Sequence, residues 1–340
     1  IPESWMVSDN SSIRFSESGK RLYFGTAPMP IEYEYERDTT ILKEERPQVD
    51  VWSYNDPYIQ PMQKLRAGRE KNRTYAVVYH VEDQKLVQLE GSDLESVYID
   101  TENDMDFYLA MDDKRYRTQY TWNTQTPRDY YKVDAETGEV ELLLESTVGY
   151  ASLSPAGKYL NWYNSEDSNY YTMNMESGKI TNLTAEMEVS FADELHDSPS
   201  LARSYGTAGW AEDDEYFYIN DRYDIWKFHP ENATAPINVT MGQGRENMIT
   251  YRYQRLDYDQ DFIDPSEKAL LSAFDEWTKT VSLRARPGTR SGKRPRRPQR
   301  LTGSTRGGVM SRPRGRIASR RVLWIAYRLG EPKFLSPESP

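Results

Sequence analysis

Apolar and polar residues alternate with a period of two through most of the first 280 residues, and the alternating runs come in pairs joined by a short polar turn. The pattern is plainest in Tyr131-Lys132-Val133-Asp134-Ala135-Glu136-Thr137-Gly138-Glu139-Val140-Glu141-Leu142-Leu143 and in Tyr171-Thr172-Met173-Asn174-Met175-Glu176-Ser177-Gly178-Lys179-Ile180-Thr181-Asn182-Leu183. A period of two predicts strands with one buried face. Asp134 and Asn174 are suited to bond their own backbone two residues on, and Gly138 and Gly178 to supply positive φ where the chain reverses, so each segment reads as a β-hairpin. Residues 78–89 carry a related pattern, and residues 226–240 a looser one. With Tyr79, Tyr131, Tyr171 and Trp226 as anchors, the copies lie 52, 40 and 55 residues apart. That spacing fits a four-stranded propeller blade, and stacking blades buries apolar faces that one hairpin leaves wet.

A second repeat supports the same architecture. Phe15-Ser16-Glu17-Ser18-Gly19-Lys20-Arg21-Leu22 recurs as Leu153-Ser154-Pro155-Ala156-Gly157-Lys158-Tyr159-Leu160. The predicted fold is all-β, an incomplete β-propeller of about five recognisable blades within residues 1–280. Blade one opens near Ser12 and is interrupted by an arm at about residues 28–73, whose residues 64–71 are polar and helix-compatible. Blades two to four are expected at residues 95–145, 150–184 and 209–240, and a fifth from about Arg255, with residues 269–274 as a buried strand.

Composition changes this picture at the C-terminus. Residues 281–340 hold 16 basic groups against Glu331 and Glu338, a net of +14, whereas residues 1–280 carry −25. From Val281 to about Arg321 there is no aromatic residue and no acid, only an Arg, Pro, Gly and Ser background with strand-like islands at residues 299–303 and 307–310. A GC-rich gene read out of its frame gives mainly Arg, Pro, Gly and Ala, and this is the simplest account of residues 281–340. The alternative is a genuine basic tail that binds nucleic acid in a salt-dependent way, but it has no interleaved aromatics on which bases would stack. The rest of the composition, 37% hydrophobic with 26 tyrosines, is enough for a large core. The absence of cysteine excludes disulfides and thiolate chemistry, and no apolar run approaches the ~18 residues of a membrane span.

The arm carries a resemblance. Val49-Asp50-Val51-Trp52-Ser53-Tyr54-Asn55-Asp56-Pro57-Tyr58-Ile59-Gln60-Pro61-Met62-Gln63, preceded by residues 22–28 and followed by residues 74–79, resembles the N-terminal β-propeller of bacterial prolyl oligopeptidase family serine peptidases of the dipeptidyl-peptidase-like kind. The match continues through residues 221–226 and 268–274 and covers nearly all of residues 10–280. It implies a propeller that restricts access to peptide substrates, followed by an α/β-hydrolase domain with a Ser-Asp-His triad, in a protein exported to the periplasm or beyond. The sequence departs from the family in having no Gly-x-Ser-x-Gly nucleophile elbow, so no catalytic residue carries over and the chain is expected to be inactive by itself. No cofactor and no metal is implied.

Few other residues point to chemistry. Glu44 and Glu45 are the candidate substrate-binding residues: by analogy with amine-binding glutamates of dipeptidyl-type relatives they would hold a peptide N-terminus, the rival being a solvated acidic face. Trp52, Tyr54 and Tyr58 are expected to pack the arm onto the propeller or onto the absent domain. His80, His196 and His229 fall in or beside different blades and read as structural. Ser291 lacks the leading glycine of an elbow, and the acidic clusters at residues 104–106 and 212–215 lack a calcium-loop pattern and read as turns. The rival from another class is a non-catalytic propeller that binds a protein or a glycan.

Overall fold

The computed structural model describes residues 1–30, 40–42, 45, 49–257 and 259–285. The fold is all-β and of the propeller class, built from antiparallel blade sheets. It divides into two compact units, one ending at Ser204 and the other beginning at Tyr205.

The first unit holds three sheets. Sheet one is formed by β1 (Trp5–Val7), β2 (Arg14–Phe15), β3 (Arg21–Pro28), β4 (Tyr75–His80) and β5 (Lys85–Gln88), with β1 and β2 sharing one edge of β3. Sheet two follows as β6 (Val97–Tyr98), β7 (Phe107–Asp112), β8 (Arg128–Asp134) and β9 (Val140–Thr147). Sheet three is β10 (Ala151–Leu153), β11 (Tyr159–Asn164), β12 (Asn169–Asn174) and β13 (Ile180–Asn182). From β3 onward in sheet one, and throughout sheets two and three, every strand pairs with the next, the meander order of a blade.

Both sequence repeats are turns. Ser16 and Ser154 close the link into the second strand of their blades: their hydroxyls accept the N–H of Arg21 (3.1 Å) and Tyr159 (3.0 Å), and Gly19 and Gly157 sit at φ +73° and +70°. Asp134 Oδ1 accepts the N–H groups of Glu136 and Thr137, and Asn174 Oδ1 those of Glu176 and Ser177, with Gly138 and Gly178 at φ +74° and +69°. These polar turns hold the flanking strands in a register that sends alternate side chains inward.

The inward faces meet between sheets. Tyr23, Val78 and Val87 of sheet one pack with Tyr108, Ala110 and Val133 of sheet two. Leu109, Tyr130 and Leu144 of sheet two pack with Ala151, Leu160 and Trp162 of sheet three. Each such side chain contributes roughly 1.5–3 kcal/mol when fully buried. Tyr130, wholly inaccessible, also donates its hydroxyl to the Gly149 carbonyl (3.0 Å) and accepts the Ala151 N–H (3.0 Å).

The second unit holds two sheets. One is β14 (Thr207–Trp210), β15 (Phe217–Asn220), β16 (Ile225–Phe228) and β17 (Ile237–Asn238). After the short helix α2 (Gln243–Asn247) comes a sheet of β18 (Ile249–Gln254), β19 (Leu270–Asp275) and β20 (Thr280–Ala285). This fifth sheet starts at Ile249, six residues before the expected Arg255, because Ile-Thr-Tyr-Arg-Tyr-Gln alternates as a strand in its own right. Tyr218, Ile225, Tyr251 and Leu271 form the core. β20 carries strand pairing to Ala285 and is an edge among the described residues, with Val281 and Leu283 exposed. Residues 286–340, most of the expected basic tail with Ser291, lie outside the described residues.

Candidate functional site

The site lies in the first unit, where the arm that joins β3 to β4 meets the connection between β7 and β8. The arm contains the helix α1 (Gln60–Lys71). Its sequence, Met-Gln-Lys-Leu-Arg-Ala after a proline in the first turn, is rich in good helix formers, and Arg69 and Lys71 complement the negative end of the helix dipole. None of its residues is fully buried, so packing holds it only lightly. What fixes it is polar: Gln63 Nε2 donates to Asp56 Oδ2 (2.9 Å) and to the Tyr58 carbonyl (2.7 Å), Lys64 pairs with Asp50 (2.6 Å), and Arg73 forks onto Glu70 (2.8 Å to each oxygen).

Between the arm and a 3-10 segment at Lys114–Thr121 lies a pocket of about 630 Å³. Gln60, Gln63, Ala67 and Glu70 line it from one face of α1, as their helical spacing requires, with Tyr58 and Arg117 among the other lining residues. Tyr58 and Tyr120 meet with ring centroids 5.8 Å apart, Arg66 covers Tyr58 at 4.1 Å, and Arg117 approaches the same ring at 5.4 Å.

Behind this aromatic floor stands a charge network. Arg117 donates through Nε to Asp113 (2.7 Å) and through Nη2 to Glu95 (2.6 Å), Tyr120 donates to Asp113 (2.7 Å), and Glu95 also meets Lys114 (3.2 Å) and Arg73 (3.4 Å). Burial pushes the Asp113 and Glu95 carboxyls up, but the hydrogen bonds and positive charges around them win, and both are held below the ordinary carboxylate range. The Tyr120 phenol is pushed up to about 12 by burial and by its bond to Asp113, and burial raises Tyr58 as well. Arg117 is thus a fixed cation and Tyr120 a neutral donor at neutral pH.

The candidates from the sequence scatter. Glu44 lies outside the described residues, and Glu45 is exposed, its N–H bonded to the Leu42 carbonyl (3.0 Å). Tyr58 packs onto the blade as expected, whereas Trp52 and Tyr54 do not and are 66% and 94% exposed. His80 is buried and structural, its Nε2 2.9 Å from the Ala135 carbonyl and its Nδ1 3.2 Å from Glu136. His196 contacts the Ser200 carbonyl (2.8 Å), and His229 Nδ1 accepts the Glu231 N–H (3.1 Å). Asp104 accepts the Ser18 hydroxyl, and residues 212–214 form a single 3-10 turn. Among the described residues no group of three or more His, Asp or Glu side chains is placed to hold a metal ion. Sequence reasoning missed Arg66, Arg117, Tyr120, Asp113 and Glu95. The available signal was the helical spacing of Asp113, Arg117 and Tyr120, which sets an anion, a cation and a phenol on one side of a turn.

No protein-family model and no curated protein matches the sequence. Among solved structures, the chain is similar to a TolB protein from Agrobacterium tumefaciens, at 12% identity and a TM-score of 0.34 over 83% of this chain and 81% of that one. It is similar to dipeptidyl peptidase 4 from Porphyromonas gingivalis, at 10% identity and a TM-score of 0.39 over 79% of this chain and 36% of that one. A prolyl endopeptidase aligns at 12% identity and a TM-score of 0.35 over 82% of this chain and 35% of that one. The chain therefore spans about a third of the length of the two peptidases.

Proposed function

We propose that the chain is the substrate-gating propeller portion of a serine peptidase that hydrolyses peptides, with the nucleophile on an α/β-hydrolase domain beyond these residues, in the periplasm or outside the cell. The observation that carries this reading is the uncovered arm. Val49, Val51, Trp52, Tyr54 and Leu65 are each at least 66% exposed, while Tyr58 against Tyr120 and Arg73 paired with Glu95 root the arm beside sheet two. A rooted segment that shows several large apolar side chains to water suits covering by another surface. Val49, Val51, Trp52 and Tyr54, four of these bare side chains, fall in the segment of the family resemblance, as packing against a following domain would require.

No helix among the described residues is long and apolar enough to cross a membrane. The proposed reaction is acyl transfer to water through a serine, the blades admitting peptides and excluding folded proteins. The test begins at the gene, resequenced from the codon for Thr280 to well past that for Pro340. The reading expects a frame that continues blade sequence and reaches Gly-x-Ser-x-Gly, and a product that a fluorophosphonate labels and that cleaves short peptides but not folded proteins. Confirmation of the present frame, with no nucleophile downstream, would overturn it.

A further inference from the structure

The pocket beside α1 contains two charges of opposite sign that have no ion-pair partner among the described residues. Arg66 lies over Tyr58 at 4.1 Å and near Tyr120 at 5.8 Å, and among the described residues its guanidinium has no carboxylate within ion-pairing distance. Asp56 accepts one hydrogen bond, from the Gln63 amide at 2.9 Å, and meets no cation among the described residues. Every other charge that lines the pocket is matched: Asp50 with Lys64, Glu70 with Arg73, and Arg117 with Glu95 and Asp113.

Both residues are half-buried and held in place. Gln63 ties the Asp56 turn to α1, and Arg66 follows Gln63 by three positions on the same helix. Arg66 and Asp56 do not pair with each other although both line the same cavity. A volume of about 630 Å³ falls within the roughly 300–1,000 Å³ of small-ligand pockets. A planar guanidinium with five N–H donors, stacked on the Tyr58 ring and bonded to its hydroxyl but paired with no carboxylate among the described residues, suits a carboxylate that it can fork. A carboxylate half-withdrawn from water suits an ammonium.

The geometry points to a site for a short peptide with free termini, its carboxylate on Arg66 and its ammonium on Asp56, lying along the Tyr58 ring. The site needs no hydrolase domain, because this chain supplies every group. It goes beyond gating, since a gate only excludes and this pocket retains.

The experiment is calorimetric titration of the 340-residue chain with trialanine, its N-acetylated form and its C-amidated form, at low salt. Trialanine is expected to bind, and blocking either terminus to weaken binding on the order of tenfold, the loss of one charge-assisted hydrogen bond. Arg66→Gln should weaken trialanine to the level of the amide and leave the amide unchanged, and Asp56→Asn should do the same for the acetylated form. Equal affinity of all three peptides, equal damage by Arg66→Gln to all three, or no binding of trialanine by the wild-type chain would overturn the proposal. Arg66→Lys, which keeps the charge, should restore part of the affinity, and a failure to do so while circular dichroism shows the variant folded would count against an ionic role. Peptide binding by a chain whose gene has no nucleophile downstream would sink the peptidase reading and leave this site standing.

Discussion

Two pairs of charged residues, one in each unit, show how differently the fold uses ionisable groups. In the second unit Asp221 and Asp224 are almost wholly inaccessible, and every oxygen is occupied. Asp221 accepts the N–H groups of Tyr223 and Asp224 (2.6 Å each) and the indole of Trp226 (3.0 Å). Asp224 accepts the Thr240 hydroxyl and the N–H groups of Gly244 (2.9 Å) and Arg245 (3.1 Å). In the first unit Asp56 and Arg66 are open to a cavity, and among the described residues neither has an ion-pair partner. A buried carboxylate with every bond made is part of the scaffold, since leaving it unpaired there would cost several kcal/mol. A charge at a cavity wall pays little for being unpaired, because water serves until something replaces it.

The largest loss is expected in the second unit. Asp224→Ala strips partners from two backbone N–H groups and a hydroxyl, and should lower stability by about 3 kcal/mol, read as a shift of the urea midpoint. A drop below 1 kcal/mol would mean that water reaches this pair too.

Acid is the next lever, and it acts on the first unit. Asp113 and Glu95 are held below the ordinary carboxylate range, so their contribution is fully present above the unfolded value near pH 4 and is lost as pH falls through the lower folded value. Hydrogen exchange across Lys114–Thr121 should therefore accelerate below about pH 4, before the sheets lose protection.

Gly178→Ala is a smaller test. Nothing lies within 4 Å of the position a Cβ would take, so the change isolates the strain of φ +69°, about 1 kcal/mol by thermal unfolding. Arg66→Gln should be the mildest, within about 0.5 kcal/mol of the parent in urea, as suits a side chain with no ion pair among the described residues. A large loss there would make Arg66 a strut of the scaffold.

The blades were legible because each is written locally. Ser16 with Gly19, Ser154 with Gly157, Asp134 with Gly138 and Asn174 with Gly178 announce turns within five residues, and the structure makes each of them. A further copy escaped notice: Asp275 Oδ1 accepts the N–H groups of Trp277 and Thr278 in the same fashion, but the positive φ, +55°, falls on Lys279. Without the glycine the motif loses its signature while keeping its geometry. The fifth sheet was placed late, from about Arg255, because its first strand, Ile249–Gln254, follows no turn motif of this kind.

The pocket was not legible. Tyr58 and Arg66 on the arm meet Arg117 and Tyr120 only after the chain has passed through sheet one and into sheet two. No local rule brings such residues together, and Glu44 and Glu45 were chosen by analogy instead. Sequence spacing did hold the clue that Asp113, Arg117 and Tyr120 share one side of a turn, but not what that side faces.

One feature of sheet one bears on how such a chain can change over time. The arm leaves from the end of β3 and returns at the start of β4, two strands that pair in register with Thr26 opposite Tyr75. Its two roots are neighbours, so the excursion is a cassette plugged into a hairpin, and lengthening it adds only the slow logarithmic cost of closing a larger loop. A tight turn between Pro28 and Tyr75 would leave the blade intact, and a different cassette would give the same blade a different surface.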